Sequence, residues 1–560
     1  MLFRSLFTPK WIVQYMVDNT LGQLWKEARP KTNVIKDLEF YIKPENEDII
    51  PKRVLITPED LTFFDPCVGS AHVLCYAFEI FFKIYEEEGF NSTDIPELII
   101  TKNLFGIDID ERAAQLAAFA LMMKGRQYDK RLLRKGLSPN ILAFQNNDLH
   151  PKFGNAQTIG SLINISQEEV GKIIIDDLSV FSENQKHCKK QAQFLSKDYD
   201  IIVTNPPYLN SSYMEGELKQ FVDKEYSIYK SDLFACFLSK VTTLTKKSGL
   251  IGFICPYVWM FNKSYENLRE LVIEDLTIST FIQLEYNAFG PAVVPICTFT
   301  LRNNNIRDYR GIYIKLSDFK GIENQAPKTL EAIKNPKTPW LFISDQRNFK
   351  KMPSYPIGFW VSDRVISHFE NDIKISVIGE PKQGLITGDN ERFLRRWWEV
   401  SQDMIYYLGT EFKSKKWFLY QKGGEFRKWY GNNEYVVNWS NGGEQIINFY
   451  SKDGKLKSRP QNIKYYFKEG MSWTSLTNAT FNGRYVSEGF IFDAKGPMLF
   501  SKRIKYLIGF LNSNVGNYLL NIISPTIDFS QGPVGNLPLM IEDEHLDRKS
   551  TRLNSSHVSQ

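Results

Sequence analysis

The alternation of apolar and polar positions up to about residue 300 predicts short buried strands separated by amphipathic helices. The first helix is the clearest, because Leu74, Phe78 and Phe81 recur at helical spacing. The predicted strands are Phe63-Phe64, Leu104–Ile107, Ile201–Thr204, Leu250–Cys255, Phe281–Glu285 and Ile296–Leu301, and the predicted helices are Val73–Glu88, Ala113–Lys124 and Phe234–Leu244. This order is typical of an α/β domain with a mainly parallel sheet. The last two strands are joined only by a loop, so we expect them to be antiparallel.

The pattern changes near Ile373, where paired glycines, dense tryptophan and tyrosine, and many lysines and arginines replace the earlier alternation. Such a shift in composition indicates a second domain of mixed α+β structure. The predicted division is a first domain over 1–372, with a polar and partly helical insertion over 151–198, a second domain over 373–540, and a disordered tail over 541–560. Within the tail, residues 547–560 have no periodicity and look like translated vector sequence.

Composition narrows the class of protein. With 43% hydrophobic and 24% charged residues and a net charge of +5, the 560-residue chain is an ordinary globular protein, which excludes wholesale disorder, collagen and coiled coil. No apolar run reaches the roughly 18 residues that a membrane span needs, and the N-terminus has no secretory pattern. The six cysteines form no CxxC pair, so we predict no metal site and no membrane association, and we expect a reducing, cytoplasmic location.

The segment from Phe63 to His72 combines a strand end, an acidic turn at Asp65 and a small-residue loop that opens a helix. Glycine at position 69 lets a ligand approach the backbone closely, and a helix N-terminus favours a negatively charged group. A plain turn between a strand and a helix explains the same residues equally well. The loop alone therefore leaves both interpretations open.

Further acidic positions follow the next two strands. Asp108 comes directly after Leu104–Ile107, where a carboxylate can bind the hydroxyl groups of a ribose. Asp110 is better explained as the N-cap of the next helix. Asp148 follows a weaker third strand and either accepts a hydrogen bond from an adenine amino group or lies in a surface loop. Both interpretations of Asp148 stay open.

The strongest signal is a buried strand, Ile201–Thr204, that runs directly into Asn205-Pro206-Pro207-Tyr208. The two prolines fix the backbone and remove amide donors. The Asn205 carboxamide oxygen and the Pro206 carbonyl oxygen are then available to accept hydrogen bonds from an NH2 group and to aim its lone pair at an electrophile. Tyr208 adds a stacking face for a flat base. An ordinary turn after a strand is the simpler alternative, and the upstream loops argue against it.

These motifs, in this order, resemble those of the amino-group DNA methyltransferases that use S-adenosylmethionine. Thr8–Val13 is similar to the motif that precedes the cofactor loop in adenine-N6 enzymes. More narrowly, Trp11–Trp25, Asp65–Phe78 and Asn103–Leu116 are similar to the PglX methyltransferases of BREX phage-defence systems. The resemblance implies a Rossmann-like S-adenosylmethionine-dependent methyltransferase sheet, in an α/β catalytic domain, followed by a target-recognition domain. Family members are longer at both ends, so we expect this chain to be a fragment.

The resemblance also implies roles for individual residues. The residues expected to bind S-adenosyl-L-methionine are Thr8, Asp65, Pro66, Gly69, Asp108, Ile109 and Asp148. The residues expected to hold the target adenine are Asn205, Pro206, Pro207 and Tyr208. Phe289 packs either on the far face of the flipped base or, equally well, in the core between two strands. Ala71 departs from the family, which usually has glycine there; if φ is positive at this position, alanine costs about 1 kcal/mol.

The second domain is basic and aromatic, which favours DNA as its partner. Lysine and arginine neutralise phosphates, and arginine also reads base edges in the major groove. A solvated face over an aromatic core is the simpler explanation for any single lysine, whereas the region as a whole favours double-stranded DNA. The predicted DNA-binding residues are Arg392, Arg395, Arg396, Lys415, Lys416, Arg427 and Lys428.

The predicted function is therefore methyl transfer from S-adenosyl-L-methionine to adenine N6 in double-stranded DNA, with the base flipped out of the duplex. The family resemblance adds phage defence, with other BREX proteins as partners. Enzymes that methylate ribosomal RNA or protein glutamine use the same Asn-Pro-Pro-Tyr chemistry. Two further alternatives are the methyltransferase component of a restriction-modification enzyme and a catalytically weak DNA-binding specificity subunit, toward which only Ala71 points.

Overall fold

The computed structural model describes residues 8–54, 57–173, 182–288, 294–477, 479–525 and 528–539. The chain divides into two compact units, Met1–Phe349 and Lys350–Gln560. The domain boundary expected after residue 372 falls inside the second unit, between a helix that ends at Asn371 and a short strand that begins at Ile373. The division into functional domains stays a prediction.

A nine-stranded mixed sheet organises the first unit. Its strands are β1 (Phe63–Asp65), β2 (Leu104–Asp108), β3 (Asn140–Ala143), β4 (Tyr199–Thr204), β5 (Thr245–Pro256), β6 (Thr277–Gln283), β7 (Ile296–Arg302), β8 (Arg310–Lys315) and β9 (Leu341–Asp345). They lie in the order β3-β2-β1-β4-β5-β7-β6-β8-β9. Neighbours from β3 to β5 are parallel, and β7 is antiparallel to both β5 and β6. The predicted antiparallel pair is thus confirmed, whereas β8 and β9 lie beyond the strands that the alternation predicts.

The helices of the first unit lie before the first strand or between successive strands along the chain. They are α1 (Lys10–Val17), α2 (Gln23–Ala28), α3 (His72–Glu87), α4 (Ile95–Leu98), α5 (Glu111–Arg126), α6 (Ala156–Ile159), α7 (Gln167–Gly171), α8 (Ser182–Ser196), α9 (Gly216–Glu225), α10 (Leu233–Leu244), α11 (Glu266–Asp275) and α12 (Ile322–Lys334). The predicted helix after the first strand is confirmed as α3, which buries Leu74, Phe78 and Phe81. Within the described ranges, no helix is both long enough and apolar enough to cross a membrane.

The strand order reverses direction between β1 and β4, because the chain proceeds to β2 and β3 on one side and to β5 on the other. In open α/β sheets, ligands bind outside the carboxyl ends of the strands at such a switch point. Asp65 ends β1, Asp108 ends β2, and Asn205 directly follows β4. The topology therefore places these three predicted site residues at the carboxyl ends of neighbouring strands, beside the switch point.

The second unit is built from short strands and helices. Its strands are β10 (Ile373–Lys374), β11 (Glu380–Lys382), β12 (Leu394–Arg396), β13 (Ile405–Tyr406), β14 (Trp417–Gln421), β15 (Tyr435–Asn438), β16 (Gly470–Ser472), β17 (Arg484–Val486), β18 (Ile491–Phe492), β19 (Met498–Phe500) and β20 (Pro538–Leu539). Its helices are α13 (Asp363–Asn371), α14 (Ile375–Ile378), α15 (Asn390–Phe393), α16 (Ser440–Ile447), α17 (Ile504–Asn512), α18 (Asn514–Ile523) and α19 (Gln531–Gly535). Aromatic side chains fill its core, among them Phe418, Trp439 and Phe492. Its mixed α+β character is as predicted.

Candidate active site

Asp65 closes β1 with a buried carboxylate, since only 2% of the residue is exposed. Its Oδ1 accepts a hydrogen bond from the Cys67 amide at 3.0 Å. Burial raises the pKa of Asp65 to about 7, because loss of water disfavours the charged form, and the nearby Asp108 carboxylate adds to the rise. A cation bound beside Asp65 would stabilise the charged form of its carboxylate.

The loop after Asp65 turns through left-handed backbone, with φ of +49° at Gly69 and +63° at Ala71. A Cβ atom at Gly69 would meet no heavy atom within 4 Å, so this glycine serves the backbone conformation and has open space beside it. Ala71 adopts the positive φ that costs an alanine about 1 kcal/mol. The loop closes nevertheless, because the Ala71 amide donates to the Val68 carbonyl at 2.9 Å.

Asp108 ties this loop to the end of β2. Its Oδ2 accepts from the Gly69 amide at 2.9 Å, and its Oδ1 accepts from the Asp110 amide at 3.0 Å. Burial raises the pKa of Asp108 as well. Asp110 accepts from the Arg112 amide at 2.8 Å at the start of α5, which confirms its predicted capping role. Two desolvated carboxylates, Asp65 and Asp108, therefore end adjacent strands on either side of one loop.

The polar insertion contributes a contact that the sequence did not indicate. Ser161 is 2% exposed, and its hydroxyl donates to the Pro66 carbonyl at 2.6 Å. At the neighbouring Gly160, a Cβ atom would come within 2.7 Å of Ile109 Cγ2. The predicted cofactor residues Pro66 and Ile109 thus pack against the insertion. Ser161 lies in a polar stretch without a motif, so the sequence alone could not predict this contact.

Two predicted residues are not joined to this group by the contacts described above. Asp148 is an exposed residue in a turn five positions beyond the end of β3. Its predicted role toward an adenine amino group stays a prediction. Phe289, predicted to pack on the target base, lies outside the described residues.

The structure brings Thr8, Asn205 and Tyr208 together. Asn205 Nδ2 donates to Thr8 Oγ1 at 3.1 Å, and Asn205 Oδ1 accepts from the Tyr208 hydroxyl at 2.6 Å. The same hydroxyl lies 3.2 Å from the Ile254 carbonyl oxygen on β5. These bonds fix the plane of the carboxamide and direct its donor end at Thr8. An amide oxygen carries two lone pairs and can accept two hydrogen bonds.

A buried acid that the sequence did not indicate holds the turn after Tyr208. Asp232 Oδ1 accepts from the Leu209 amide at 2.9 Å and from the Phe234 amide at 3.3 Å. The same carboxylate therefore caps α10 and fixes the chain that leaves the Asn-Pro-Pro-Tyr turn. Burial raises the pKa of Asp232 to about 6.

The pairing of β1 with β4 places the loop after Asp65 next to the turn that begins at Asn205. β1 and β4 are adjacent and parallel, so Asp65 and Asn205 lie at the same edge of the sheet. Of the two prolines in the turn, Pro206 is buried and Pro207 is exposed. The loop after Asp65 and the turn that begins at Asn205 therefore both lie at the switch point.

The seven predicted DNA-binding residues all lie in the second unit, and several have partners within the protein. Arg395 and Lys415 each donate to main-chain carbonyls nearby. Lys428 donates to the Asn512 carbonyl at 3.0 Å, at the last residue of α17. A cation there also stabilises the helix C-terminus. These contacts give the three side chains structural roles beside the predicted one.

Of the other four predicted DNA-binding residues, three lie over aromatic rings and one has a long ion pair. Arg396 packs over the Trp398 ring at 5.2 Å, and Lys416 packs over its neighbouring tryptophan at 5.4 Å. Arg392 lies over two phenylalanine rings at 5.0 and 5.1 Å. Arg427 is 52% exposed in its side chain and sits 3.7 Å from a glutamate carboxylate. The roles of all seven toward DNA stay predictions.

Comparison with known proteins identifies relatives of the chain. The family described as Eco57I restriction-modification methylase matches residues 102–289. Over 96% of its length, the chain is 34% identical to the protein named adenine-specific methyltransferase PglX of Lacticaseibacillus casei (strain Zhang), of which it covers 50%. The predicted resemblance to PglX is confirmed. The protein named adenine-specific methyltransferase BrxX of Escherichia coli O9:H4 (strain HS) is 33% identical over 97% of the chain and 50% of its own length. The chain thus spans about half the length of these curated relatives.

Solved structures of similar fold include two restriction-modification enzymes. The ATP-dependent type ISP restriction-modification enzyme LlaBIII, bound to DNA, has a TM-score of 0.52 at 12% sequence identity. The match covers 98% of the PglX-like chain and 39% of the LlaBIII chain. The type IIL enzyme MmeI, in complex with DNA, matches 96% of the chain and 68% of its own, with a TM-score of 0.54 at 16% identity. Identities this low establish the fold alone. The predicted fold class is confirmed.

Proposed function

We propose that this chain carries the catalytic and target-recognition regions of a PglX-type enzyme that transfers a methyl group from S-adenosyl-L-methionine to adenine N6 in double-stranded DNA. The observation that carries the proposal is the hydrogen-bonded group of Thr8, Asn205 and Tyr208 beside the buried Asp65 at one edge of the sheet. Relatives that match nearly the whole chain are named adenine-specific methyltransferases.

The loop after Asp65 suits S-adenosyl-L-methionine. A sulfonium or ammonium cation would favour the charged form of Asp65 and so offset its desolvation. Open space beside Gly69 lets a ligand approach the backbone. Asp108, at the end of β2, lies where a carboxylate binds ribose hydroxyls in dinucleotide folds. When bound, the cofactor supplies a methyl group made reactive by its own positive charge.

The turn after β4 suits an exocyclic amino group. Because Asn205 Nδ2 is bonded to Thr8, the carboxamide offers its oxygen to an incoming N–H. The Pro206 carbonyl oxygen provides the second acceptor. Two acceptors on two N–H bonds hold the nitrogen lone pair toward the methyl donor, and this alignment supplies much of the acceleration. The proton leaves after methyl transfer, so the site needs no strong base.

Adenine N6 is unreachable within a base stack, so the target nucleotide must leave the duplex, at a cost of a few kcal/mol. Tyr208 offers its ring as a stacking surface that offsets part of this cost. Its hydroxyl is shared between Asn205 and the Ile254 carbonyl, which holds the ring in one orientation. The same tyrosine therefore orients the amide acceptor and receives the flipped base.

The biological setting that we propose is BREX phage defence in the cytoplasm, because the relatives of similar sequence are PglX and BrxX. The alternative is the methyltransferase part of a restriction-modification enzyme. The match of residues 102–289 to the Eco57I restriction-modification methylase family favours this second setting. Both settings share the same reaction.

The full chain is tested by incubation with tritiated S-adenosyl-L-methionine and unmethylated bacterial DNA, followed by mass spectrometry of the released nucleosides. We expect N6-methyladenine from the wild type. Asn205→Ala should lower the yield by about a hundredfold or more, because the amino group is no longer aligned, while calorimetry finds nearly unchanged cofactor affinity. Asn335→Ala, at the end of α12, is the matched control. Wild-type levels of N6-methyladenine from Asn205→Ala would refute the proposal.

A further inference from the structure

Residues 423–432 lie within the connection between β14 and β15 and are named the aromatic turn. Within this turn, Phe426, Trp429 and Tyr430 are 48%, 56% and 67% exposed. Scattered single apolar residues on a surface need no explanation, but three large rings within five positions form a patch of the kind that marks interaction sites.

The aromatic turn is held in a strained backbone conformation. Trp429 has φ of +77°, which is a genuine outlier for a bulky side chain. Its amide donates to the Gly483 carbonyl at 2.9 Å, and its carbonyl accepts from the Tyr485 amide at 2.8 Å. Asn432 Nδ2 donates to two carbonyls of the turn at 3.0 Å each. Strain of this kind persists only where the surrounding structure fixes it, and it is concentrated at functional sites.

These rings lie in a part of the chain that has a net positive charge. Between residues 373 and 540, 22 lysines and arginines stand against 14 aspartates and glutamates, a net charge of +8 in a chain whose total is +5. The Arg427 guanidinium lies 3.7 Å from Glu434, and the amide of the 41%-exposed Trp397 donates to the Glu434 carbonyl at 2.9 Å. Beside it, Arg396 packs over the half-exposed Trp398. Arg427 and the main chain of Trp397 thus both contact Glu434, so cations and exposed rings lie near one residue.

We propose that the aromatic turn contacts double-stranded DNA through base stacking, with Phe426, Trp429 and Tyr430 as the stacking rings and Arg427 as a phosphate contact. Aromatic rings stack on the faces of unstacked bases while neighbouring cations contact phosphates, and in a duplex an inserted apolar side chain exposes such a face by opening a base step. The net positive charge favours DNA over a protein partner, because DNA carries regularly spaced negative charge. The inference rests on the proposed function, since it names the element with which the second unit engages the DNA substrate.

The test compares Trp429→Ala with Trp429→Phe in the full chain. Both variants keep a Cβ atom at the same positive φ, so backbone strain is matched and only the ring differs. Fluorescence anisotropy with a labelled duplex of mixed sequence measures affinity. We expect Trp429→Ala to lose about tenfold in affinity and Trp429→Phe to retain most of it, since stacking on a base contributes about 1–3 kcal/mol. Phe119→Ala, which removes a 62%-exposed ring from α5, should leave DNA affinity unchanged.

Salt dependence separates stacking from charge. Trp429→Ala should lower affinity equally at all salt concentrations, whereas Arg427→Gln should reduce the slope of log affinity against log salt by about one. Tyr430→Ala is the second variant if Trp429→Ala fails to fold, as judged by its thermal unfolding midpoint.

Two outcomes would overturn the inference alone. The first is wild-type DNA affinity in both Trp429→Ala and Tyr430→Ala, which would direct the turn toward a protein partner. The second is an equal loss in Trp429→Phe and Trp429→Ala, since the ring would then not be the cause. If the wild-type chain fails to bind DNA and to methylate it, the proposed function itself is wrong.

Discussion

The loop after Asp65 and the aromatic turn use the same backbone device for opposite purposes. Each holds a non-glycine residue in the left-handed region, Ala71 with φ of +63° and Trp429 with φ of +77°, and each is fixed by main-chain hydrogen bonds. The first loop consists of small residues and has open space beside Gly69. The aromatic turn instead projects large rings into solvent. We propose that the first loop admits the cofactor and that the aromatic turn contacts DNA.

The two regions also differ in charge and in burial. The ends of β1 and β2 carry desolvated carboxylates with raised pKa values, Asp65 and Asp108. The residues from 373 to 540 carry a net charge of +8 on a largely aromatic framework. A buried acid favours a cationic small molecule, whereas exposed bases favour a polyanion. The contrast predicts that cofactor binding responds to pH and that DNA binding responds to salt.

The largest effect is expected from Asp108→Ala on cofactor affinity. The change removes the acceptor that anchors the Gly69 amide and the carboxylate that we assign to the ribose, so affinity should fall by about a hundredfold, in line with about 1.5–3 kcal/mol for charged hydrogen bonds. Isothermal titration calorimetry with S-adenosyl-L-methionine measures it. Asp110→Ala is the control, because Asp110 caps α5 and should cost about 1 kcal/mol of stability without changing affinity. Equal affinity in both variants would remove Asp108 from the site.

The next effect concerns pH and Asp65. Its folded pKa of about 7 lies above the ordinary value of about 3.9, so the folded chain binds this proton more tightly than the unfolded chain. The resulting contribution to the free energy of unfolding is complete below about pH 4 and is lost as pH rises through about 7. Subtracting the pH profile of Asp65→Asn from that of the wild type isolates this contribution, because other titrating groups cancel.

A bound sulfonium reverses this preference, because it stabilises the charged carboxylate. Affinity for S-adenosyl-L-methionine should therefore rise by up to about tenfold per pH unit below the pKa of Asp65, and it should level off above about 7. Calorimetry in two buffers of different ionisation enthalpy detects the released proton. If the affinity of the wild type stays constant between pH 5 and 8, as we expect for Asp65→Asn, the assignment of Asp65 to the cofactor site is wrong.

A smaller effect is expected from alanine at Gly69, and Gly89 offers a close control. Both glycines have positive φ, +49° and +86°, and neither would place a Cβ atom within 4 Å of another heavy atom. Gly69→Ala and Gly89→Ala should each cost about 1 kcal/mol in the free energy of unfolding. Only Gly69→Ala should also lower cofactor affinity, by a few-fold, because its methyl group enters the space beside the loop. Similar cofactor affinity in both variants would show that this space is not used.

The sequence predicted the local features of the site and missed the contacts that join distant positions. A buried strand followed by two prolines is visible within nine residues, as is the cap at Asp110. The bond from Asn205 to Thr8 joins residues 197 positions apart, and the bond from Leu209 to Asp232 spans 23 positions. Tyr208 was predicted only as a stacking ring, because its partners, Asn205 Oδ1 and the β5 carbonyl, depend on the fold. Local patterns specify strands and turns, whereas side-chain pairing across the sheet follows from tertiary packing.

The smallest effect, and the one that decides how to interpret the departure at Ala71, is expected from Ala71→Gly. Glycine relieves the left-handed strain, about 1 kcal/mol, but gives the unfolded chain extra freedom that costs about 0.4–1 kcal/mol. The net change in the free energy of unfolding should therefore be within about 1 kcal/mol, as measured by urea denaturation, and cofactor affinity should stay at the wild-type level. The reason is that the loop already closes with alanine, through the bond from the Ala71 amide to the Val68 carbonyl. A large gain in cofactor affinity would mean that Ala71 impairs the site, and it would favour a catalytically weak specificity subunit over an active methyltransferase.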